Sequence, residues 1–183
     1  MVLLEPEETA PTFMGPLHGA PAVGILVGTG NTRLADVYST SGRRGAVYTL
    51  VDPAWRTALR VAIHARLFGK TRFLFTDNRD REVGSAEARN ALVTTLGLQL
   101  RVAGSDELLC LDRTALAGRT WLIRDESEAE LGRVKVSPIG TSRRQSYHIV
   151  FDRRLTLSQR RAIVGTAIGL QSLRRWSRGE DVP

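Results

Sequence analysis

The chain has 183 residues, of which 42% are hydrophobic and 25% are charged, and its formal net charge is +7 at pH 7. These proportions are ordinary for a globular chain and exclude a collagen-like or wholly disordered protein. The length suits one domain, or one domain with an appended arm. The single cysteine excludes an internal disulfide and any multi-cysteine zinc site.

The N-terminal stretch of residues 1–24 contains four prolines and lacks the basic start of a secretory signal. We therefore expect an N-terminal arm over 1–24 and a cytoplasmic protein. Residues 25–178 are predicted to form one domain, followed by a tail at 179–183. The fragment GTGN at 28–31 lacks the third glycine and the strand-to-helix context of a nucleotide-binding loop, so it is predicted to be a turn.

The middle of the chain contains copies of one pattern. FLFTDNRDREVGSAE at 73–87 aligns with WLIRDESEAELGRVK at 121–135 at a constant offset of 48 residues, and YTLVDPAWRTALRVA at 48–62 is a weaker copy. Each copy is typical of a strand, a turn opened by aspartate and a returning strand, with a glycine near the bend in the two stronger copies. Repeated hairpins predict an antiparallel meander.

Two segments fit either a strand or a helix. Residues 52–67 could form a helix opened by Asp52 and Pro53, although alternate residues from Leu59 onward are also apolar, as in a strand. Residues 85–96 are similarly ambiguous and have good helix propensity. The sequence leaves both alternatives open.

Residues 157–177 form the only long helical pattern. The run 162–170 carries no charge on any face, so the helix must be enclosed by protein or by lipid. Nine residues span about 14 Å at the rise of an α-helix, which is short of the roughly 20 apolar residues that cross a bilayer. Gly165-x-x-x-Gly169 resembles a transmembrane dimer motif, but inside a barrel the same glycines would let the helix pass close to inward side chains.

Many hairpins and one apolar helix predict a mainly β (α+β) fold. We expect a closed antiparallel barrel of about twelve strands around the hydrophobic C-terminal helix, because closure removes exposed strand edges and a wide barrel needs an apolar filling. YHIVF at 147–151 supplies an aromatic, β-prone strand directly before the helix.

The positive charge is concentrated in the C-terminal part of the chain. Residues 133–183 hold 11 basic and 3 acidic side chains, whereas residues 1–132 hold 15 and 16. A clustered basic surface attracts phosphate from lipid headgroups or nucleic acid, and the alternative is a solubilising face. The candidate anion-binding residues, which flank predicted strands, are Arg143, Arg144, Lys70 and Arg72.

The hairpins ending in Val83-Gly84 and Leu131-Gly132, followed by YHIVF and AIVGTAIGL, resemble the Tubby C-terminal-like barrels. Within that superfamily the chain is similar to bacterial relatives of the LURP-one and phospholipid scramblase proteins. The resemblance covers residues 35–175 and implies a twelve-stranded barrel wrapped around a hydrophobic C-terminal helix. Within this superfamily, Tubby proteins bind phosphoinositides and scramblase-like members act at membranes, whereas many bacterial and plant LURP-one relatives have no assigned activity. No binding motif of the family transfers to this chain residue by residue.

Enzyme chemistry finds little support in the sequence. His18, His64 and His148 lack metal-ligand spacing, and the chain has no GxSxG elbow, HExxH motif or Walker loop. Acidic groups around Asp77 and Asp125 match no calcium loop and are predicted to lie in turns. We therefore expect no cofactor and no metal.

The predicted function is non-enzymatic binding of an anionic phospholipid or a membrane-associated protein by a cytoplasmic barrel, peripheral to the membrane and without a transmembrane span. A structural or interaction scaffold without a lipid ligand is the alternative. Nucleic-acid binding through the basic part ranks third, because few aromatic residues are available for stacking. Cys110, in the apolar stretch LLCL, is predicted to be a buried core residue.

Overall fold

The computed structural model describes residues 1–4, 22–42, 45–64, 70–89, 97–114, 118–138 and 145–177. Twelve strands and one long helix occupy most of these residues. The strands are β1 (Val2–Leu4), β2 (Ala22–Val27), β3 (Arg33–Gly42), β4 (Gly45–Val51), β5 (Thr57–His64), β6 (Arg72–Thr76), β7 (Glu82–Ala88), β8 (Gly97–Val102), β9 (Leu108–Arg113), β10 (Thr120–Arg124), β11 (Glu130–Pro138) and β12 (Gln145–Phe151), and the helix is α1 (Leu157–Ser177).

Strands β2 to β12 form an eleven-stranded antiparallel sheet in which each strand pairs with the next along the chain. The fold is therefore mainly β with one C-terminal helix, as the sequence predicted. The short β1 lies beside both outer strands of this sheet, with Val2 opposite Val27 of β2 and opposite His148 of β12.

The predicted repeats are three hairpins with the same turn. In each, the carboxylate that follows the first strand accepts hydrogen bonds from the backbone N–H groups two and four residues later, at 2.8–3.0 Å. This geometry lets an aspartate replace backbone partners in a tight turn. The three carboxylates are those of Asp52, Asp77 and Asp125. The residue three positions later has a positive φ in every copy, at Trp55 (61°), Asp80 (58°) and Glu128 (66°).

The glycines of the two stronger repeats allow the next strand to approach. A Cβ on Gly84 would lie 2.4 Å from the carbonyl oxygen of Arg101, and one on Gly132 would lie 2.3 Å from that of Val150. Both positions adjoin a register shift in the hairpin, where the ladder is irregular. A side chain is therefore excluded by backbone, which cannot rotate away.

Both ambiguous segments contain strands. Residues 57–64 form β5, and residues 85–88 belong to β7. Leu59, Val61 and Ile63 are almost fully buried, so the alternating pattern prevails over the helical one because it places three aliphatic side chains in the core. Residues 65–67 and 90–96 lie outside the described part of the chain.

The predicted helix at 157–177 is confirmed with the same bounds. It begins with a capping box: the Thr156 hydroxyl accepts a hydrogen bond from the Gln159 N–H at 3.2 Å, and the Gln159 side chain accepts one from the Thr156 N–H at 2.7 Å. Residues 162–169 are buried at every position, and α1 contacts β5 to β8 and β12. Protein thus encloses this run of the helix.

Two helix glycines set the distance between helix and sheet. A Cβ on Gly165 would lie 2.7 Å from Cδ1 of Phe75, and one on Gly169 would lie 3.0 Å from Cδ1 of Phe73. Both aromatic rings are fully buried. The glycines therefore let the helix pass close to the aromatic side chains of the sheet, as the sequence predicted.

Polar helix residues in the interior have hydrogen-bond partners in the helix or on the sheet. The hydroxyls of Thr166 and Ser172 donate to the carbonyl oxygens four residues earlier, at 2.9 Å and 2.8 Å, and the Gln171 amide donates to the Val23 carbonyl at 3.1 Å. Buried polar groups with partners add little penalty to burial. The helix can therefore be surrounded by apolar side chains although its sequence is not wholly apolar.

The surroundings of Cys110 differ from the sequence expectation. Cys110 is only partly buried, because Leu109 and Leu111 on either side of it point into the core and the alternation of β9 turns the thiol outward.

Both described pieces of the predicted arm, β1 and residues 22–24 of β2, are paired in the sheet. Their apolar sequences, VLL and AVGILV, suit strands.

Candidate functional site

The antiparallel order places successive connections alternately at two ends of the sheet. The turn end comprises residues 28–32, 52–56, 77–81, 103–107, 125–129 and 152–156, all of which are described. The basic end comprises the strand ends Leu4/Ala22, Gly42/Gly45, His64/Arg72, Ala88/Gly97, Arg113/Thr120 and Pro138/Gln145. The sequence between these pairs of strand ends contains eight basic and three acidic residues, and all three acidic residues lie between Leu4 and Ala22. The six turns contain nine acidic and five basic residues.

Charges at the turn end are largely paired with one another. Ion pairs join Asp52 to Arg56, Asp77 to Arg81, Asp80 to Arg60, Glu128 to Arg124, Glu130 to Arg133 and Asp152 to Arg154. Such exposed pairs contribute little to stability individually. Arg79 and Arg153 are exposed at this end without an ion-pair partner within the described residues, but acidic residues outnumber basic ones in the turns by nine to five.

The turn carboxylates carry the clearest electrostatic effects. The side-chain hydrogen bond from Arg81, together with backbone N–H groups, lowers the pKa of Asp77 to about 2. The backbone N–H of Arg56 is the largest cause that lowers the pKa of Asp52, and the Ser127 hydroxyl is the largest cause for Asp125. These acidic groups therefore stabilise turns, which is the role the sequence predicted for the clusters around Asp77 and Asp125.

Two of the four predicted anion-binding residues are described, and both lie at the basic end. Lys70 is exposed, with Nζ 3.7 Å from Oε1 of Glu87. Arg72 is exposed at the start of β6, opposite His64 on one neighbouring strand and Glu87 on the other. Arg143 and Arg144 lie outside the described residues, and the strand ends on either side of them, Pro138 and Gln145, belong to the basic end.

Two further basic side chains at this end were missed by the sequence analysis. Arg119 and Lys135 are exposed on neighbouring strands, since Thr120 pairs with Lys135 and the Arg119 carbonyl accepts a hydrogen bond from the Val136 N–H at 2.7 Å. Within the described part of the chain, Arg72, Arg119 and Lys135 have no ion-pair partner. The outward-facing positions in the strand pattern could have identified Lys135, but its neighbour in space depends on the register.

Arg89, which also lies at the basic end, is paired with an acidic side chain. Its guanidinium donates a hydrogen bond to Asp112 at 2.8 Å, which raises the pKa of Arg89.

Burial raises the pKa of the Cys110 thiol, so this cysteine is not an activated nucleophile.

A shallow pocket of about 320 Å³ lies at the turn end, on the outside of the sheet. Its described lining residues are Arg33, Asp36, Tyr38, Val51, Asp52, Pro53 and Trp55. The rings of Tyr38 and Trp55 stack with centroids 6.2 Å apart and an angle of 25° between their planes. Tyr38 is 1% exposed but does not belong to the main apolar core, whereas Trp55 is 48% exposed. The pocket thus has an aromatic wall with one accessible ring.

Sequence reasoning did not single out Trp55, although a signal was present. The repeat alignment places this aromatic residue at the turn position that Asp80 and Glu128 occupy in the other copies. A tryptophan in an exposed turn, where the fold accepts an acidic residue, is unusual. The partner ring of Tyr38 could not be identified from the sequence, because the two are brought together by the pairing of β3 with β4.

Within the described residues, no group of three or more histidine, cysteine, aspartate and glutamate side chains has an arrangement that could hold a metal ion. His64 and His148 are exposed on separate strands, and the ring Nε2 of His148 lies 3.1 Å from the Ser146 hydroxyl oxygen. His18 lies outside the described residues.

Comparisons with known proteins give no assignment: no protein-family model, no curated protein and no solved structure matches this chain.

Among the described residues, no helix has both the length and the apolar character needed to traverse a bilayer.

Proposed function

We propose that this protein is a non-enzymatic, Tubby-like β-barrel that binds anionic phospholipid headgroups through its basic end, at the cytoplasmic surface of a membrane. The observation that supports it best is the opposite net charge of the connections at the two ends. The turns hold nine acidic and five basic residues, whereas the connections at the basic end hold eight basic and three acidic residues. Arg72, Arg119 and Lys135 at the basic end have no ion-pair partner within the described residues.

The proposed fold includes closure of the sheet by β1. Val2–Leu4 is in antiparallel register with β2 on one side and with β12 on the other, so that it would be the twelfth strand of a closed barrel. Closure would remove both outer edges of the meander. The fully buried run 162–169 of α1 supports the helix as the filling of that barrel.

The contribution of basic side chains to membrane binding has a known order of magnitude. Each lysine or arginine held near an anionic membrane surface contributes about 1 kcal/mol, and this contribution falls away within a Debye length. Several basic side chains at one end are therefore enough for reversible binding, provided that they act together. The same attraction weakens in high salt, because the Debye length shrinks from about 10 Å at 0.1 M to about 3 Å at 1 M.

The test is co-sedimentation with phosphatidylcholine vesicles that contain or lack phosphatidylserine. We expect binding only to the anionic vesicles, loss of binding in Arg143→Glu/Arg144→Glu and in Arg72→Glu/Lys135→Glu, and weaker binding as salt is raised. Arg79→Glu is the matched control, because Arg79 is exposed at the turn end and its side chain makes no ion pair within the described residues.

Equal binding by all variants, or binding to neutral vesicles, would contradict the proposal. Absence of binding to any vesicle would instead favour the scaffold alternative. A nucleic acid presents phosphate as well, so competition by single-stranded DNA in the same assay separates the third candidate from the first.

A further inference from the structure

Trp55 occupies a conformation that its side chain does not favour. Its φ is 61°, which is uncommon for a residue other than glycine, asparagine or aspartate, and is a clear outlier for a bulky side chain. The equivalent turn positions hold Asp80 and Glu128, so the fold does not require an aromatic residue there. Trp55 packs on the buried ring of Tyr38, yet it is still 48% exposed, so part of its ring is accessible to a ligand. An exposed residue held in an unfavourable conformation beside a pocket is a reason to suspect a binding role.

The pocket next to Trp55 is electrically balanced. Arg33 donates to Oδ1 of Asp36 from Nε at 2.7 Å and from Nη2 at 2.6 Å. Arg56 donates to Oδ2 of Asp52 from Nε and Nη2, both at 2.8 Å. Each carboxylate therefore faces its own guanidinium. A strongly anionic or cationic ligand would gain little from a site whose charges already neutralise one another.

Hydrogen-bonding capacity nevertheless remains at the rim. Both bonds from Arg33 go to Oδ1 of Asp36, so Oδ2 of Asp36 has no partner among the described residues. The indole N–H of Trp55 also has none there, and Arg33 is 60% exposed along its side chain. The pocket thus combines an aromatic face with at least one free acceptor and one free donor. A purely apolar ligand would leave these polar groups desolvated and unpaired.

We propose that this pocket binds a neutral, hydroxyl-bearing ring, of which a sugar is the biological example. Such a ring presents C–H groups to the accessible face of Trp55, and its hydroxyls can donate to Asp36 and accept from Arg33 or from the indole. The volume of about 320 Å³ is at the lower limit of ligand pockets and suits a single ring. The site lies at the turn end and does not depend on the proposed binding of lipid at the basic end.

The test follows the Trp55 indole N–H signal in ¹H–¹⁵N NMR spectra of the full chain during titration. The probes are glucose, galactose, N-acetylglucosamine, maltose and cellobiose, with glucose 6-phosphate and choline as charged comparisons. The signal is assigned from its absence in Trp55→Asp. We expect at least one neutral sugar to shift it in a saturable way, with saturation-transfer signals on that sugar.

Trp55→Asp should weaken binding of that sugar by up to about tenfold, as expected for loss of an aromatic stacking partner. This variant is expected to fold, because aspartate occupies the same turn position at residue 80 and tolerates a positive φ. Asp36→Asn should weaken binding severalfold. Arg72→Glu at the opposite end should leave sugar binding unchanged while it reduces vesicle binding, so that the two proposals are tested separately.

The proposal is overturned if none of the neutral sugars shifts the Trp55 signal, or if only the charged probes do. It is equally overturned if saturation transfer to the sugar is the same in Trp55→Asp as in the unmodified protein, provided that thermal melting shows the variant to be folded.

Discussion

Gly165 of the helix and Phe75 of β6 are packed so closely that a Cβ on Gly165 would lie 2.7 Å from Cδ1 and 2.9 Å from Cε1 of the ring. Phe75 is fully buried, so the ring has little room to move. Gly165→Ala improves helix propensity by about 1 kcal/mol, but overpacking of a tight core costs about 1–3 kcal/mol. We expect a net decrease in the free energy of unfolding, measured by urea denaturation.

Gly169 offers a graded comparison with Gly165. Its Cβ would lie 3.0 Å from three atoms of the Phe73 ring, a less severe approach. Gly169→Ala should therefore destabilise the protein less than Gly165→Ala. A second comparison is Phe75→Leu combined with Gly165→Ala, in which the smaller side chain should relieve part of the penalty. If the changes in the free energy of unfolding caused by the two single substitutions simply add in the double variant, the contact between Gly165 and Phe75 is not the cause of the destabilisation by Gly165→Ala.

Asp77 makes stability depend on pH in the acidic range. Its pKa in the folded protein is about 2, below the ordinary value of 3.8, because Arg81 and backbone N–H groups stabilise the carboxylate. A lowered pKa means that the stabilisation is present above about pH 4 and is lost as pH falls towards 2. Asp77→Asn should therefore melt at a lower temperature than the unmodified protein at neutral pH, and the difference should shrink as pH falls from 4 to 2.

The control for this titration is Asp106→Asn, since the Asp106 carboxylate lies in another exposed turn and makes no hydrogen bond within the described residues. Its melting temperature should follow that of the unmodified protein over the whole pH range. A pH profile of Asp77→Asn parallel to that of the unmodified protein would show that Asp77 does not contribute to the acid transition.

Gly132 is predicted to be intolerant of any side chain. An added Cβ would lie 2.3 Å from the carbonyl oxygen of Val150, and the strand β12 that carries this oxygen is paired along its length. Gly132→Ala should lower the free energy of unfolding by about 1–3 kcal/mol, the range of local backbone strain. Gly84→Ala should behave in the same way, since its Cβ would lie 2.4 Å from the Arg101 carbonyl oxygen.

The comparison for these glycines is Gly104→Asn. Gly104 has a φ of 75° and open space around its missing Cβ, and asparagine tolerates this conformation. We expect only a small loss of stability. Gly132 also has a φ of 156°, so Gly84→Ala is the cleaner test of steric exclusion. Urea denaturation that shows no larger loss in Gly84→Ala than in Gly104→Asn would argue against exclusion by the neighbouring strand.

Leu3→Pro tests whether β1 closes the sheet. Leu3 pairs with Leu26 of β2 and with Tyr147 of β12, and proline removes a backbone donor and is not accommodated between two strands. Hydrogen exchange should then accelerate at backbone N–H groups of β2 and β12, while β6, β7 and β10 stay protected. Leu3→Ala keeps the backbone donor and should preserve protection in β2 and β12. Unchanged exchange in Leu3→Pro would contradict closure by this segment.

The sequence predicted the local elements well where the relevant interactions lie within a few residues. The turns opened by Asp77 and Asp125 are built from hydrogen bonds to the second and fourth residues that follow, so the repeat pattern alone revealed them. The helix at 157–177 was equally clear, because its capping box and its uncharged run are local features.

The site residues were predictable only in part. Lys70 and Arg72 were identified as basic residues beside strands, and both are exposed. Arg119 and Lys135 were missed because their proximity arises from the register of β10 with β11. Cys110 was expected in the core because its stretch is apolar, but strand alternation directs it to the other face.

By itself, the sequence determined the hairpin turns, the bounds of the helix and the absence of charge along its middle, since propensity, turn chemistry and capping act over short stretches of chain. The tertiary structure decided which end each turn occupies, which glycines meet a neighbouring ring or carbonyl, and that Trp55 stacks on Tyr38. These relationships depend on how strands pair and on how closely the helix approaches the sheet. Such contacts join residues far apart in the chain, and no local pattern encodes their distances.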